Sequence, residues 1–178
     1  MHGSILHGFK QFVIGRHGPV IWQAVSKIAD GSGWYYSSRV YPDAEFGRLV
    51  QAVAAHQSRS EFEVLGDFGI ALVPTLIALY SAFLDPSWRT LDLIEHTESV
   101  IHRTIRLRDA IAEPPHLRVH RISPVEVQVE YASQRGLCAL AEGICRGVAQ
   151  HYRESIAISQ PLCMHRGDAT CRLVVSQA

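Results

Sequence analysis

The sequence predicts an α+β domain in which a helical first half packs on a second half built around a small antiparallel β-sheet. Two observations support this. Apolar residues recur at helical spacing from residue 3 to about residue 109, and from residue 117 apolar and polar residues alternate. The 178 residues suffice for one domain with a sizeable core. We expect a single domain with a helical part at about 1–60 and an α+β part at about 61–178.

Helices account for most of the first half. The expected segments are 3–16, 19–29, one with Asp43 as its N-cap, one capped by Ser58 or Ser60 that runs to about Leu84, and 89–109. Gly18 followed by Pro19 separates the first two, because this pair does not continue a helix. The apolar stretch 70–84 is expected to be a buried helix that is too short to cross a bilayer.

Strands dominate the second half. The expected order is a strand at 117–122, a strand at 125–134, a helix at 136–152, and strands at 156–163 and 170–176. If the second strand continues to Arg135, then Tyr131, Ser133 and Arg135 share one face and form a row of hydrogen-bond donors. Such a row suits a ligand with two carboxylates or phosphates. The alternative is an ordinary polar face of the sheet.

Composition and charge exclude several classes of function. Lys and Arg number 17, as do Asp and Glu, so the chain carries no charge excess that would indicate a nucleic-acid or membrane partner. No signal peptide is apparent, and four cysteines in such a chain favour thiols or a metal over disulfides. We therefore expect a cytoplasmic protein. No nucleophile motif, phosphate loop or useful pair of carboxylates is present, so we do not expect an enzyme.

His102 is the candidate ligand for a metal or cofactor. It lies in the predicted helix 89–109 and shares a face with Leu91, Glu98 and Ile105. An imidazole on such a face can ligate haem iron, although an ordinary core or surface histidine fits the same pattern. His96 lies on a different face, so the two cannot serve the same site.

Several motifs together resemble the H-NOX family, the haem nitric oxide/oxygen binding domains. They are Tyr131-x-Ser133-x-Arg135, a histidine well upstream, Pro114-Pro115 between them, and the opening Met1 to Leu6. The resemblance covers essentially the whole chain. It implies a haem b between the helical and α+β parts. It also implies that His102, thirteen residues before Pro115, is the iron ligand and that Pro115 presses on the haem. The haem propionates would be bound by Tyr131, Ser133 and Arg135.

The same resemblance implies an apolar pocket for a gas. The positions that fall near the haem are Ile5, Phe9, Leu72 and Leu140, and relatives that bind oxygen usually carry a tyrosine donor at the last of these. Losing one hydrogen bond to a charged group costs about 1.5–3 kcal/mol, or roughly 10–100-fold in affinity. We therefore expect a nitric oxide sensor that also binds carbon monoxide and excludes oxygen. It is expected to signal by conformational change to a separate histidine kinase or a diguanylate cyclase/phosphodiesterase.

Cys138, Cys163 and Cys171 form a second candidate site. Some bacterial members of the family carry zinc or a redox-active thiol cluster on three cysteines and a histidine at such places. Here Gln160 stands at the histidine position, and His165 is the nearest substitute. Cys145 is excluded, because seven helical residues separate it from Cys138 by about 10.5 Å. A zinc or thiol redox sensor on the same fold is thus the alternative function. The simplest interpretation is three neighbouring reduced thiols without a function of their own.

Overall fold

A computed structural model of the chain describes residues 1–109 and 111–178. The helices are α1 Gly3–Ile28, α2 Asp43–Gln57, α3 Glu61–Tyr80, α4 Thr90–His96, α5 Arg103–Arg108 and α6 Cys138–Tyr152, and a π-helical segment, Thr97–His102, joins α4 to α5. The strands are β1 Leu117–Ser123, β2 Glu126–Tyr131, β3 Ile156–Leu162 and β4 Cys171–Gln177. They form one antiparallel sheet in the order β1-β2-β4-β3. The predicted fold class is confirmed.

Helix α1 contains the break expected between the first two helical segments. The backbone of Gly18 is non-helical, with a φ of +83°, and Pro19 follows it inside the same helix. A side chain at this φ would be strained, which explains why a glycine occupies the position. The two predicted helices are therefore the two arms of one kinked helix.

The N-cap predicted for α3 is present, whereas the one predicted for α2 is not. Asp43 is the first helical residue of α2 rather than its N-cap, and its carboxylate is engaged by other groups. Ser60 does cap α3, because its hydroxyl accepts from the Glu63 amide and the Glu63 carboxylate accepts from the Ser60 amide. Ser58 instead ends α2 with a φ of +53°.

Helices α3 and α6 approach each other closely through glycines. A Cβ atom at Gly69 would lie 2.6 Å from the Leu140 carbonyl, and one at Gly143 would overlap the backbone of Gly66. Residues larger than glycine at these places would separate the two helices. This contact joins the helical half of the chain to the sheet half.

Helix α3 corrects one prediction about length. The helical segment Glu61–Phe83 has 23 residues and is long and apolar enough to cross a membrane by length and composition alone. The predicted stretch 70–84 lies mostly within this longer helix, so its length does not exclude a membrane span as predicted. One third of its most apolar window is buried, and Val64, Phe68 and Val73 are within the hydrophobic cores.

The core has two main parts. One part fills the space between α1, α2, α3 and the start of α6, and its largest fully buried side chains are Phe9, Phe46 and Phe68. The other part lies between the sheet, α4 and α6, with Val127, Leu173 and Val175 fully buried. The polar residues that could bind a ligand lie near the ends of β1 and β2 and on the π-helical segment.

Candidate functional site

A cleft of about 560 Å³ lies where the predicted propionate and proline residues meet. Pro114 and Pro115 line one part of it, Ser133 and Arg135 another, and Asp43 at the start of α2 a third. The volume is within the range of small-molecule sites. The structure thus brings together three of the predicted site residues: Pro115, Ser133 and Arg135.

The segment after β2 is a turn, which corrects the predicted row of donors. Strand β2 ends at Tyr131, and the Ser133 carbonyl accepts a hydrogen bond from the Gly136 amide at 3.1 Å. The Ser133 hydroxyl accepts from the Arg135 amide at 3.3 Å, and Gly136 has a φ of +63°. Tyr131, Ser133 and Arg135 therefore do not share one strand face. The turn, rather than a continued strand, places Ser133 and Arg135 at the cleft.

Arg135 joins three parts of the chain at the cleft. Its Nε donates to the Asp43 carboxylate at 3.0 Å, and its Nη1 donates to the Glu113 carbonyl at 2.7 Å. Asp43 also pairs with the α-ammonium group of Met1 at 2.6 Å. Burial alone would raise the pKa of Asp43, but hydrogen bonds from Met1 and Arg135 outweigh it and hold the pKa below its usual value. Arg135 is thus a fixed cation on the wall of the cleft.

Tyr131 lies beneath the turn, with 3% of its surface exposed. Its hydroxyl accepts a hydrogen bond from the Leu137 amide at 3.1 Å. Burial raises the pKa of Tyr131, although hydrogen bonds from Ser133 and Leu137 act in the opposite direction. The phenol is therefore neutral at physiological pH and keeps a proton to donate.

His102 is the last residue of the π-helical segment and is largely buried, with 14% of its side chain exposed. Its Nδ1 lies 2.9 Å from the Glu98 carboxylate, one turn earlier. Burial lowers the pKa of His102, while Glu98 and the Pro115 carbonyl act to raise it. The imidazole is neutral, as a metal ligand must be. His96 is occupied elsewhere, because its ring stacks on Trp88 at 4.7 Å.

Glu98 organises the surroundings of His102, a role that the sequence analysis did not assign to it. Its carboxylate also accepts from Arg106 at 2.8 Å and from the Leu117 amide at 3.0 Å. Arg106 in turn donates to the Pro115 carbonyl at 3.3 Å. Burial alone would raise the pKa of Glu98, but these hydrogen bonds lower it, so the carboxylate is ionised. The sequence could have indicated this contact, because side chains four residues apart in a helix, such as Glu98 and His102, are neighbours.

The predicted gas-pocket residues lie together in the first hydrophobic core. Phe9, Leu72 and Leu140 are all buried there, and Ile5 packs against them while partly exposed. The Phe9 ring contacts the Phe68 ring with centroids 5.1 Å apart. Among the described residues that line the cleft, none of these four is present. The cluster is apolar, as predicted, and is formed by side chains of α1, α3 and α6.

The three predicted cysteines also come together. The Sγ atoms of Cys138, Cys163 and Cys171 lie within 4.8 Å of one another. Burial raises the pKa of the Cys138 thiol to about 12. Burial acts the same way on Cys163, but a hydrogen bond from the His165 amide and those from the two other thiols lower its pKa. Cys145 belongs to a different part of the core, as its helical distance from Cys138 predicted.

The donor set fits a haem. A neutral buried imidazole held by a carboxylate suits an axial iron ligand. A guanidinium, a hydroxyl and a nearby phenol suit two carboxylates. An apolar cluster formed by α1, α3 and α6 suits the ring and a small neutral ligand.

Comparisons with known proteins agree with this chemistry. The haem-NO-binding family matches residues 2–160 of the chain. A crystal structure of an H-NOX protein from S. oneidensis in the Fe(II)NO ligation state has a TM-score of 0.92 and 27% identity, covering 100% of this chain and 99% of that one. An NMR structure of an H-NOX domain from Shewanella oneidensis in the Fe(II)CO ligation state has a TM-score of 0.89 and 26% identity, with 100% and 99% coverage.

A more distant structure shows the same fold. The Fe(II) unliganded H-NOX protein from K. algicida has a TM-score of 0.90 at 19% identity, covering 100% of this chain and 97% of that one. No curated protein matches the chain.

Proposed function

Because this chain belongs to the haem-NO-binding, or H-NOX, family, we propose that it senses nitric oxide through a ferrous haem b held by His102. The family consists of haem-based gas sensors rather than enzymes. Two similar structures, both from S. oneidensis, are described as Fe(II)NO and Fe(II)CO forms. A bound haem would supply an iron atom able to bind a diatomic gas.

The buried imidazole of His102 is the observation that carries the proposal. With its Nδ1–H donated to Glu98, the ring would keep the lone pair of Nε2 available to bind the iron. The Glu98 carboxylate fixes the ring orientation and increases the basicity of the ligand. Pro115 is held nearby through Arg106, which contacts both its carbonyl and Glu98. In the proposal Pro115 presses on the haem.

The propionates are assigned to the turn after β2. Arg135 supplies a fixed positive charge, and Ser133 adds a hydroxyl donor to the same cleft. The neutral Tyr131 phenol adds a second hydroxyl from below. A carboxylate in this cleft would compete with Asp43 for the Arg135 guanidinium.

The apolar cluster of Ile5, Phe9, Leu72 and Leu140 supports discrimination between gases. Bound oxygen carries partial negative charge and gains from a hydrogen-bond donor, whereas nitric oxide gains much less. These four side chains carry no donor. We therefore infer that the protein binds nitric oxide and carbon monoxide and excludes oxygen.

The output is proposed to be a shift of the helical part, about residues 1–60, against the α+β part, about residues 61–178. Arg135 and Asp43 are suited to transmit it, because their ion pair links the turn after β2 to the start of α2. We propose that a separate cytoplasmic histidine kinase or diguanylate cyclase/phosphodiesterase reads the change.

The test is an absorption spectrum of the reduced protein before and after nitric oxide or oxygen, with two histidine variants. Wild type should show a Soret band that shifts with nitric oxide and not with oxygen. His102→Ala should lose haem, or regain a five-coordinate spectrum only when free imidazole is added. His96→Ala is the matched control and should retain the wild-type spectrum, because its ring stacks on Trp88. An unchanged spectrum in His102→Ala would overturn the assignment.

A further inference from the structure

Three thiols meet at a junction of three secondary-structure elements. Cys138 is the first residue of α6, Cys163 directly follows β3, and Cys171 is the first residue of β4. The exposed fractions are 0%, 4% and 0%, respectively. The Sγ atoms lie within 4.8 Å of one another, and those of Cys138 and Cys163 are 3.9 Å apart.

These distances suit one soft cation at the centre of the group. Sulfur ligands about 2.3 Å from an ion are separated by about 4.0 Å in a planar triangle and about 3.8 Å in a tetrahedron. The 3.9 Å between Cys138 and Cys163 fits either arrangement. The sulfur positions are therefore compatible with a metal, and the fourth position determines its coordination number.

The turn between β3 and β4 holds two of the thiols in place. The Cys163 amide donates to the Asp168 carboxylate at 2.7 Å, and the Met164 amide donates to the Cys171 sulfur at 3.3 Å. Met164 packs against the buried cluster that contains the three thiols and Tyr131. The group is thus largely formed before any ion binds, and a thioether is its neighbour.

The fourth position lacks a ligand that zinc prefers. Gln160 lies beside the Cys138 thiol, and its buried Nε2 makes no other hydrogen bond within the described part of the chain. An amide oxygen is a hard ligand that suits magnesium or calcium rather than a thiophilic ion. His165 does not substitute, because its Nε2 hydrogen-bonds to the Gly136 carbonyl at 2.7 Å and its ring contacts Phe62. Structural zinc almost always has four protein ligands.

We propose that Cys138, Cys163 and Cys171 form a three-sulfur site for Cu(I), which it binds in preference to zinc. Cu(I) is a soft ion that thiolate and thioether ligands select, and it does not require the missing nitrogen ligand. The site shares no residue with the proposed haem pocket, although Tyr131 packs in the same buried cluster as the three thiols. The inference does not depend on gas sensing.

The test is anaerobic equilibrium dialysis of the reduced full-length protein, with bound metal counted by atomic emission. Against a Cu(I)-buffering chelator, wild type should retain one Cu(I) per chain, and Cys171→Ser should bind it at least about 100-fold more weakly, since even outer-shell changes at a metal site cost 10–100-fold. Cys145→Ser is the matched control and should bind as wild type, because this buried thiol is in another part of the core.

The same dialysis with zinc tests the role of the fourth position. Wild type should lose zinc to a chelator of moderate strength, whereas Gln160→His should retain it. Equal zinc retention in wild type and Gln160→His, or equal Cu(I) binding in wild type and Cys171→Ser, would overturn the proposal. X-ray absorption of copper-loaded wild type gives a test that does not depend on a variant folding. It should show sulfur neighbours at about 2.3 Å, and a nitrogen or oxygen neighbour would contradict the site.

Discussion

Leu140 is the residue at which the proposed exclusion of oxygen can be tested. It is buried in the apolar cluster with Phe9, and its side chain offers no hydrogen bond. Leu140→Tyr should raise oxygen affinity by roughly 10–100-fold, because a hydroxyl there can donate to bound oxygen, and should change nitric oxide affinity much less. Oxygen titration of the reduced haem, followed by absorption, measures the effect.

Leu140→Phe is the control for ring size, since a larger side chain in a packed core can itself cost about 1–3 kcal/mol of stability. Oxygen binding by Leu140→Phe at the level of Leu140→Tyr would mean that size, and not the hydroxyl, controls access.

Glu98 should tune the bond between His102 and iron. Glu98→Gln keeps the shape of the side chain but removes the charge that orients and polarises the imidazole. We expect haem affinity to fall by about 10–100-fold, with a lower iron–histidine stretching frequency in the resonance Raman spectrum. Glu95→Gln is the matched control, because the Glu95 carboxylate pairs with Arg121 instead. Equal spectra for Glu98→Gln and wild type would show that the carboxylate only supports the fold.

Individual residues also mark where sequence reasoning was sufficient and where it was not. The residue types at Tyr131, Ser133 and Arg135 predicted an anion-binding group, and two of them do line the cleft. Their geometry was not predictable from alternation, because the hydrogen bond from Gly136 to Ser133 closes a turn that ends the strand at Tyr131. Asp43 was predicted to be a helix N-cap from its local sequence alone. Its actual partners, Met1 and Arg135, are distant in sequence, so local patterns could not reveal them.

At the scale of elements, the contact between α3 and α6 depends on glycine. A Cβ at Gly143 would overlap the Gly66 carbonyl, and backbone atoms cannot move aside as a flexible side chain can. Gly143→Ala should therefore lower the free energy of unfolding by about 1–3 kcal/mol. Urea unfolding at pH 7 measures it.

Gly47→Ala provides the matched control, since a Cβ at this position in α2 meets nothing within 4 Å. It should raise the free energy of unfolding by about 0.5–1 kcal/mol, because alanine loses less conformational freedom in a helix than glycine does. A stabilising Gly143→Ala would mean that the two helices can separate at little cost.

The elements themselves were mostly predictable, apart from the early end of β2 and one further exception at the candidate site. Helical spacing located the segment 89–109, but it could not reveal that Thr97–His102 forms a π-helical turn. Such turns are often found at functional sites and shift the register of the side chains that follow them. Here the turn ends at His102, so the residue proposed to bind iron lies where two helical registers meet.

At the scale of the whole molecule, Asp43 ties the start of α2 to the chain terminus and to the turn after β2. Its carboxylate bonds to Met1 and Arg135, and its side chain is 48% exposed, so solvent screens these bonds. Asp43→Asn should lower the free energy of unfolding by about 1 kcal/mol at pH 7. Glu113→Gln is the matched control and should have no effect, because this 84% exposed carboxylate is 3.9 Å from Arg135, which hydrogen-bonds to the Glu113 carbonyl.

The loss in Asp43→Asn should also depend on pH in a defined direction. The pKa of Asp43 is lower in the folded protein than the usual 3.8, so the unfolded chain binds the proton more readily. Its contribution is therefore fully present above pH 3.8 and is lost as the pH falls through the folded pKa. Urea unfolding of wild type and Asp43→Asn at matched haem content should show the two free energies of unfolding converging below pH 3.8. A difference that stays constant down to pH 3 would mean that Asp43 acts through packing at the start of α2 rather than through its charge.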